Sequence, residues 1–198
     1  MIWLSVILVL LAMAFYGALH SWMAAVRFKR WLAKHFPRFY TRYYRLFYSF
    51  FSVVSLLPIL LMVWLLPNRS LYQIPTPWIY FTLLIQVAAV VLMLVALLQT
   101  NIWVFLGVQQ ALGSQPRREA FRAEGMYRLV RHPLYTLGMI FLWLQPVMSL
   151  NLLALVIAST IYLVIGARLE ERKLLKQFPE YATYRRSVPM FIPGLLHK

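Results

Sequence analysis

The chain has 198 residues, 62% of them hydrophobic, with 20 Lys and Arg against 5 acidic residues and a formal net charge of +15. A soluble domain is nearer ~45–50% apolar, so the chain reads as a membrane protein. The lack of cysteine excludes disulfides, thiolate catalysis and sulfur metal sites.

A membrane-crossing helix needs roughly 17–25 mostly apolar residues. The first such run covers about residues 2–22; its start "MIWLSV" has no basic segment and the residues after Ala14 stay apolar, which favours an anchor over a cleaved leader. Next comes "AAVRFKRWLAKHFPRF", where Phe28, Trp31, Leu32 and Phe36 recur at helical spacing opposite Arg27, Lys29, Arg30 and Lys34. That pattern predicts a basic helix lying on the membrane surface. Further spans are expected at about 46–66, 78–98, 134–148 and 150–167, the fourth being short and ending in "QPVMSLN", which suits a tight hairpin. The expected fold class is an all-α integral membrane protein of about five transmembrane helices, a single membrane domain over residues 1–198.

Cations alternate between the connections. The first holds Arg27, Lys29, Arg30, Lys34, Arg38, Arg42 and Arg45, the second only Arg69, and the third Arg117, Arg118, Arg122, Arg128 and Arg131. The 145–151 hairpin has none, and the tail has Arg168, Arg172, Lys173, Lys176, Arg185, Arg186 and Lys198. The positive-inside rule then puts the N-terminus outside and both long loops and the C-terminal segment in the cytoplasm. Such dispersed charge fits anionic lipid headgroups as partners and argues against nucleic acid. His20, His35, His132 and His197 show no ligand spacing, so no metal site is expected.

All five carboxylates, Glu119, Glu124, Glu170, Glu171 and Glu180, fall in the C-terminal two-fifths. Four spans also bring polar residues to the cytoplasmic side: His20 and Ser21; Gln99, Thr100 and Asn101; Arg131, His132 and Tyr135; Arg168, Glu170 and Glu171. In "YRLVRHPLYTLGM" Pro133 suits the first turn of a helix, and His132 before it is pushed towards an extended conformation. The N–H groups of residues 134–136, beside Arg131, would form an anion site for a carboxylate or phosphate; the plainer alternative is that Arg131 snorkels to lipid phosphates and His132 caps the helix. Glu170 and Glu171 point about 100° apart on a helix, so one can enter a pocket while the other pairs with Lys173 or Arg131. Gln86 and Thr82 are expected to hydrogen-bond across helices, and Trp3, Trp64, Trp78 and Trp143 to serve as belt or packing residues.

Taken together, "EGMYRLVRHPLYTLG" and "RLEERKLLKQFPEYATYRRSVPMFIP" resemble the isoprenylcysteine carboxyl methyltransferase superfamily. The shared pattern is G-x-Y-x-x-x-R-H-P-x-Y-x-x-G, E-E-x-x-L, F-x-x-Y-x-x-Y and V-P, between Gly125 and Pro193. The N-terminal part, "LHSWMAAVRFKRW", "YYRLFYSF" and "FLGVQQ", is similar to the bacterial branch that includes methanethiol S-methyltransferase and NnrU-type membrane proteins, with Asn101 where that branch often has an acid. The resemblance implies an enzyme of the bacterial inner membrane that binds S-adenosylmethionine from the cytoplasm in its C-terminal half, residues 119–193. By motif, Tyr127, Arg131, His132, Pro133, Leu134 and Tyr135 would cradle the cofactor from one side, and Glu170, Glu171, Tyr181 and Tyr184 from the other.

The acceptor would be a carboxylate or thiol of a lipophilic or small apolar molecule, entering between spans. A carboxylate needs no base, whereas a thiol must lose its proton. Candidate catalytic residues are His132, Arg131, Glu124 and His20. Two other readings stay open: an NADPH-dependent membrane reductase of related architecture, although no Gly-rich dinucleotide fingerprint occurs, and a non-catalytic NnrU-like membrane protein.

Overall fold

The computed structural model describes residues 1–114 and 123–194. Glu119, Arg117, Arg118, Arg122, His197 and Lys198 lie outside the described residues. The chain falls into two compact units: residues 1–70, 101–118 and 149–158, and residues 71–100, 119–148 and 159–198. Among the described residues four helices are long and apolar enough to cross a membrane: Ile2–Ala24, Tyr44–Leu65, Trp78–Gln99 and Leu150–Gln177.

In the first unit, α1 (Ile2–Ala24) is followed by α2 (Val26–His35), α3 (Pro37–Arg42), α4 (Tyr44–Val54) and α5 (Leu57–Leu65). Pro37 ends α2, because the residue before a proline is driven out of the helical region; Phe36 sits at φ −134°, ψ 63°. The second apolar run is one span in length but two helices in detail. Pro58 has no N–H for the Val54 carbonyl, and the helix breaks into a turn at Ser55 and Leu56. Val9 and Met13 of α1, Ile59 and Val63 of α5, and Ala154 and Leu155 form the core of this unit. The four-residue spacing of Val9 and Met13, and of Ile59 and Val63, puts each of these two pairs on one helix face. Trp64 is 88% exposed, which suits a lipid-facing side chain far better than a water-facing one. The unit is completed by α7 (Ile102–Leu106) and α8 (Val108–Ala111). Asn101 caps α7, its side-chain oxygen accepting from the Val104 N–H at 3.2 Å.

In the second unit, α6 (Trp78–Gln99) packs on α9 (Pro133–Trp143). Gln86 donates to the Phe141 carbonyl at 3.0 Å, the cross-helix bond expected of it. Thr82 instead bonds within its own helix, to the Ile79 carbonyl at 2.9 Å. The Trp143 indole donates to Thr160 Oγ1 at 3.0 Å, tying α9 to α10 (Leu150–Gln177).

Two features differ from the sequence expectation. The segment at 134–148 is not one long helix: α9 has 11 residues, about 16 Å at 1.5 Å per residue, because Pro146 ends the helical run. Beyond it, β2 (Val147–Ser149) pairs with β1 (Ser70–Gln73). Ile74 meets Pro146 and Arg69 meets Leu150, so the ribbon is antiparallel. The fold is therefore helical with one short ribbon. In addition, α10 runs ten residues past its apolar part, to Gln177, since "RLEERKLLKQ" is built of good helix formers.

Candidate active site

The second unit gathers most of the candidate residues in one place. His132 adopts φ −126°, ψ 65° ahead of Pro133 at the start of α9, as the proline requires. In this extended stretch the Arg131 N–H donates to the Pro189 carbonyl at 2.9 Å and the His132 N–H to the Met190 carbonyl at 3.2 Å. Thr136 Oγ1 donates to the Phe191 carbonyl at 3.1 Å. The segment after α11 (Tyr181–Ser187) is thereby stitched to the start of α9.

Glu171, on α10, is the buried centre of a charge network. Its side chain is 5% exposed and Oε1 accepts from Arg131 Nε at 2.6 Å. His132 Nε2 lies 3.3 Å from the same oxygen, and Arg185 Nε lies 3.3 Å from Oε2. Arg131 is held further by Nη1 donating to the carbonyls of Arg185 at 2.9 Å and Val188 at 2.5 Å. It is thus a brace between α10 and the C-terminal segment. The Thr136 N–H is taken by the His132 carbonyl at 3.0 Å.

Glu170 turns the other way, as the ~100° step along a helix demands. Its side chain is 50% exposed, with Oε2 3.8 Å from His132 Nδ1, and it accepts from the Tyr135 hydroxyl at 3.1 Å. The Tyr135 and His132 rings stack, 5.3 Å between centroids and 10° between planes. The imidazole therefore has one carboxylate at each nitrogen, one buried and one open to solvent.

Tyrosines form the adjoining wall. Tyr184 donates its hydroxyl to the Tyr127 carbonyl at 2.5 Å. Burial pushes the Tyr184 phenol up to about 12, with Arg131 pulling in the opposite direction. Burial also raises Tyr127, helped by the Glu170 charge, and Tyr181, helped by Glu171. All three stay neutral at physiological pH; Tyr181 is fully buried, whereas Tyr127 and Tyr184 are part-exposed. The turn carrying Tyr127 (Gly125–Arg128) is fixed on α6: Gln99 Oε1 accepts from the Met126 N–H at 3.2 Å. Gly125 stands at φ +58°, and a Cβ there would lie 2.4 Å from Gln99 Oε1, so that close approach requires glycine.

Glu124 is exposed and joins none of the ion pairs of the cluster. His20 belongs to the first unit, its Nε2 2.8 Å from the Tyr48 hydroxyl and its ring stacked on Tyr16. The residues missed from sequence are Arg185, Thr136, Gln99 and the backbone carbonyls of residues 185 and 188–191. Only the Val188-Pro189 motif pointed to that last stretch.

The groups fit a cofactor bearing a sulfonium, an ammonium and a ribose: an open carboxylate beside part-exposed neutral aromatic side chains. Comparison with known proteins points the same way. The chain is 31% identical over 197 residues to methanethiol S-methyltransferase from a Pseudomonas species, covering 96% of this chain and 74% of the relative. It is 33% identical to methanethiol S-methyltransferase 2 from Bradyrhizobium diazoefficiens over 96% and 74% of the two chains. With the Mycobacterium tuberculosis methanethiol S-methyltransferase the identity is 28%, over 96% and 78%. No family model and no solved structure matches the chain. Identity of this order, sustained over nearly the whole chain, includes the segments that fold into the cluster around Glu171, and the chain belongs to the methanethiol S-methyltransferase family of membrane methyltransferases.

Proposed function

We propose that the protein transfers a methyl group from S-adenosylmethionine to the sulfur of a small thiol, methanethiol being the acceptor named for its relatives. The observation that carries this reading is the pair of carboxylates on His132: buried Glu171 at Nε2 and open Glu170 at Nδ1. Glu170, Tyr135, the part-exposed faces of Tyr127 and Tyr184 and the first turn of α9 at Leu134 would hold the cofactor. When bound, it supplies an electrophilic methyl on a sulfonium. A cation over a tyrosine face gains ~0.5–2 kcal/mol.

The residues of the chain do three things. The Arg131–Glu171–Arg185 network fixes α9, α10 and the C-terminal segment, so the groups are set before ligands arrive; such pre-orientation is a large part of catalysis in a displacement. Glu171 accepts from His132 Nε2–H and so leaves the lone pair on Nδ1. That nitrogen takes the thiol proton, and the resulting imidazolium lies between two carboxylates. Proton transfer of this kind contributes ~10²–10⁴-fold.

The finer membrane layout belongs to the same proposal: five crossings, the N-terminus outside, α2 on the surface of the bacterial inner membrane, and the site facing the cytoplasm. The antiparallel ribbon supports it, because β1 and β2 come from the two connections poorest in cations. The fifth crossing would combine the ~16 Å of α9 with the turn after it and the strand Val147–Ser149, which adds about 10 Å at ~3.3 Å per residue.

Detergent-purified protein should convert methanethiol to dimethyl sulfide with S-adenosylmethionine, measured by headspace gas chromatography. Failure with every small thiol, together with stabilisation by NADPH and not by S-adenosylhomocysteine, would move the assignment to a reductase; stabilisation by neither would favour a non-catalytic role.

A further inference from the structure

His132 is packed by more than its two carboxylates. The Tyr135 ring stacks on the imidazole, and the Phe191 ring meets it at 45° with 5.9 Å between centroids. Tyr135 commits its hydroxyl to Glu170 at 3.1 Å. Phe191 is half-buried, in the segment after α11. Backbone sets its place: Thr136 Oγ1 donates to the Phe191 carbonyl at 3.1 Å, and the His132 N–H to the carbonyl of the preceding Met190 at 3.2 Å. Neither bond involves the Phe191 side chain, so stitching the segment to α9 does not account for a phenyl ring there.

The reaction assigned above gives the ring a use. His132 Nδ1, as the group that takes the proton, has to reach the acceptor sulfur, and a thiol arrives with an alkyl group attached. That alkyl group gains by leaving water for apolar surface. Four side chains described around the imidazole are Glu170, Glu171, Tyr135 and Phe191. Of these four, Phe191 is the one that carries no polar atom. Its ring also suits the acceptor sulfur, which is soft and polarizable and favours the neighbourhood of an aromatic ring.

We infer that Phe191 walls the acceptor pocket beside His132 and sets the size of thiol the site takes, admitting a one-carbon thiol and turning longer ones away. The inference rests on the thiol methyl-transfer reading and adds to it a residue that selects the acceptor. Phe191 moves no proton and holds no charge; it acts by contact with the alkyl group.

Turnover of methanethiol and of 1-butanethiol by the full chain in detergent, with S-adenosylmethionine in excess and both methyl sulfides read by headspace gas chromatography, tests this. In Phe191→Ala, kcat/KM for methanethiol should fall, mainly through a higher KM, as the loss of a binding contact requires. For butanethiol it should rise, and the ratio of the two should move by about tenfold or more, the scale of a methylene in an apolar pocket. Phe191→Leu should shift the ratio the same way by less, and it carries the test if the alanine variant fails to fold. Ile192→Ala, next in the chain and 58% exposed, should leave the ratio at the parental value. Calorimetric titration with S-adenosylhomocysteine separates the uses of the ring. Equal loss for both thiols in the Phe191 variants would make the ring a packing residue and overturn the inference while the reaction stands. Lost S-adenosylhomocysteine affinity with an unchanged thiol ratio would place the ring against the cofactor and overturn it too. A parent that methylates no thiol would overturn the assigned reaction and this inference with it.

Discussion

Glu171→Gln and Glu170→Gln, one residue apart, should fail in opposite ways. Glu171 is 5% exposed and opposes Arg131, itself 10% exposed, at 2.6 Å. Removing one partner of a buried ion pair costs ~3–5 kcal/mol, because the other charge is left without compensation. The amide keeps the shape and one acceptor, and Arg131 keeps its two carbonyl partners, so the lower end, about 3 kcal/mol, applies. At ~2–4 °C per kcal/mol for a chain of this size, the melting temperature should fall by roughly 6–12 °C. Glu170, at 50% exposed, is worth at most ~1 kcal/mol to stability as a surface partner. Its amide variant should melt within ~4 °C of the parent while losing affinity for S-adenosylmethionine. Thermal unfolding in one detergent, followed by tryptophan fluorescence, and calorimetric cofactor titration read both quantities. If both variants lose the same stability, or if Glu171→Gln melts like the parent, the division into a buried brace and an open ligand group is wrong.

Other expectations follow from single contacts. His132→Gln should lower turnover ~10²–10⁴-fold, with the loss much smaller for an acidic aromatic thiol that is already ionised; an equal loss for both acceptors would remove His132 as the proton acceptor. Tyr184 is held neutral to about 12 against ~10 in an unfolded chain. Its phenol thus adds stability that is complete below pH 10 and lost as pH rises towards 12, and melting curves of the parent should fall more steeply over that window than those of Tyr184→Phe. Gly107→Ala should be far worse than Gly125→Ala: the first Cβ meets backbone at Leu46 and Arg45, the second only the end of the Gln99 side chain. Expression and monodispersity should collapse for the former, while the latter, in which Gln99 can swing away at the loss of one hydrogen bond, should cost ~1–2 kcal/mol in thermal melts.

The apolar runs were legible because a bilayer demands length and composition together, and the four long helices follow them closely. The start of α9 was legible from proline alone. What composition concealed was the difference between an apolar segment and a helical one: residues 144–148 are apolar apart from Gln145, but Pro146 stops the helix, a restriction of backbone rather than of hydropathy. The ribbon of β1 and β2 joins short segments some 75 residues apart in sequence, too short for any periodicity to register. In the site, side chains gave signals and backbone did not. Glu171, His132 and Arg131 could be singled out by type and motif. Arg131's partners on residues 185 and 188 are carbonyls, which every residue carries, so no sequence pattern marks them. Arg185 is one of many cations in the tail and acquires its role only where α11 places it beside Glu171.

The network also bears on why two adjacent glutamates are useful. A single carboxylate could not both brace a buried arginine and greet a cationic cofactor, since the first task requires exclusion of water and the second requires access. Placing them one residue apart on α10 uses the 100° step of the helix to split the tasks while keeping both within reach of one imidazole. Arg131 and Arg185 stand against Glu170 and Glu171, two cations facing two carboxylates. Under the proposed reaction a sulfonium would be drawn to Glu170, the only one of the four charges that is both negative and open. After transfer that attraction would be gone, and a proton held by His132 would supply both carboxylates with a cation of their own. The same pair of carboxylates would thus favour the donor before transfer and weaken the hold on its product afterwards, with the buried Arg131–Glu171 pair fixing the geometry throughout.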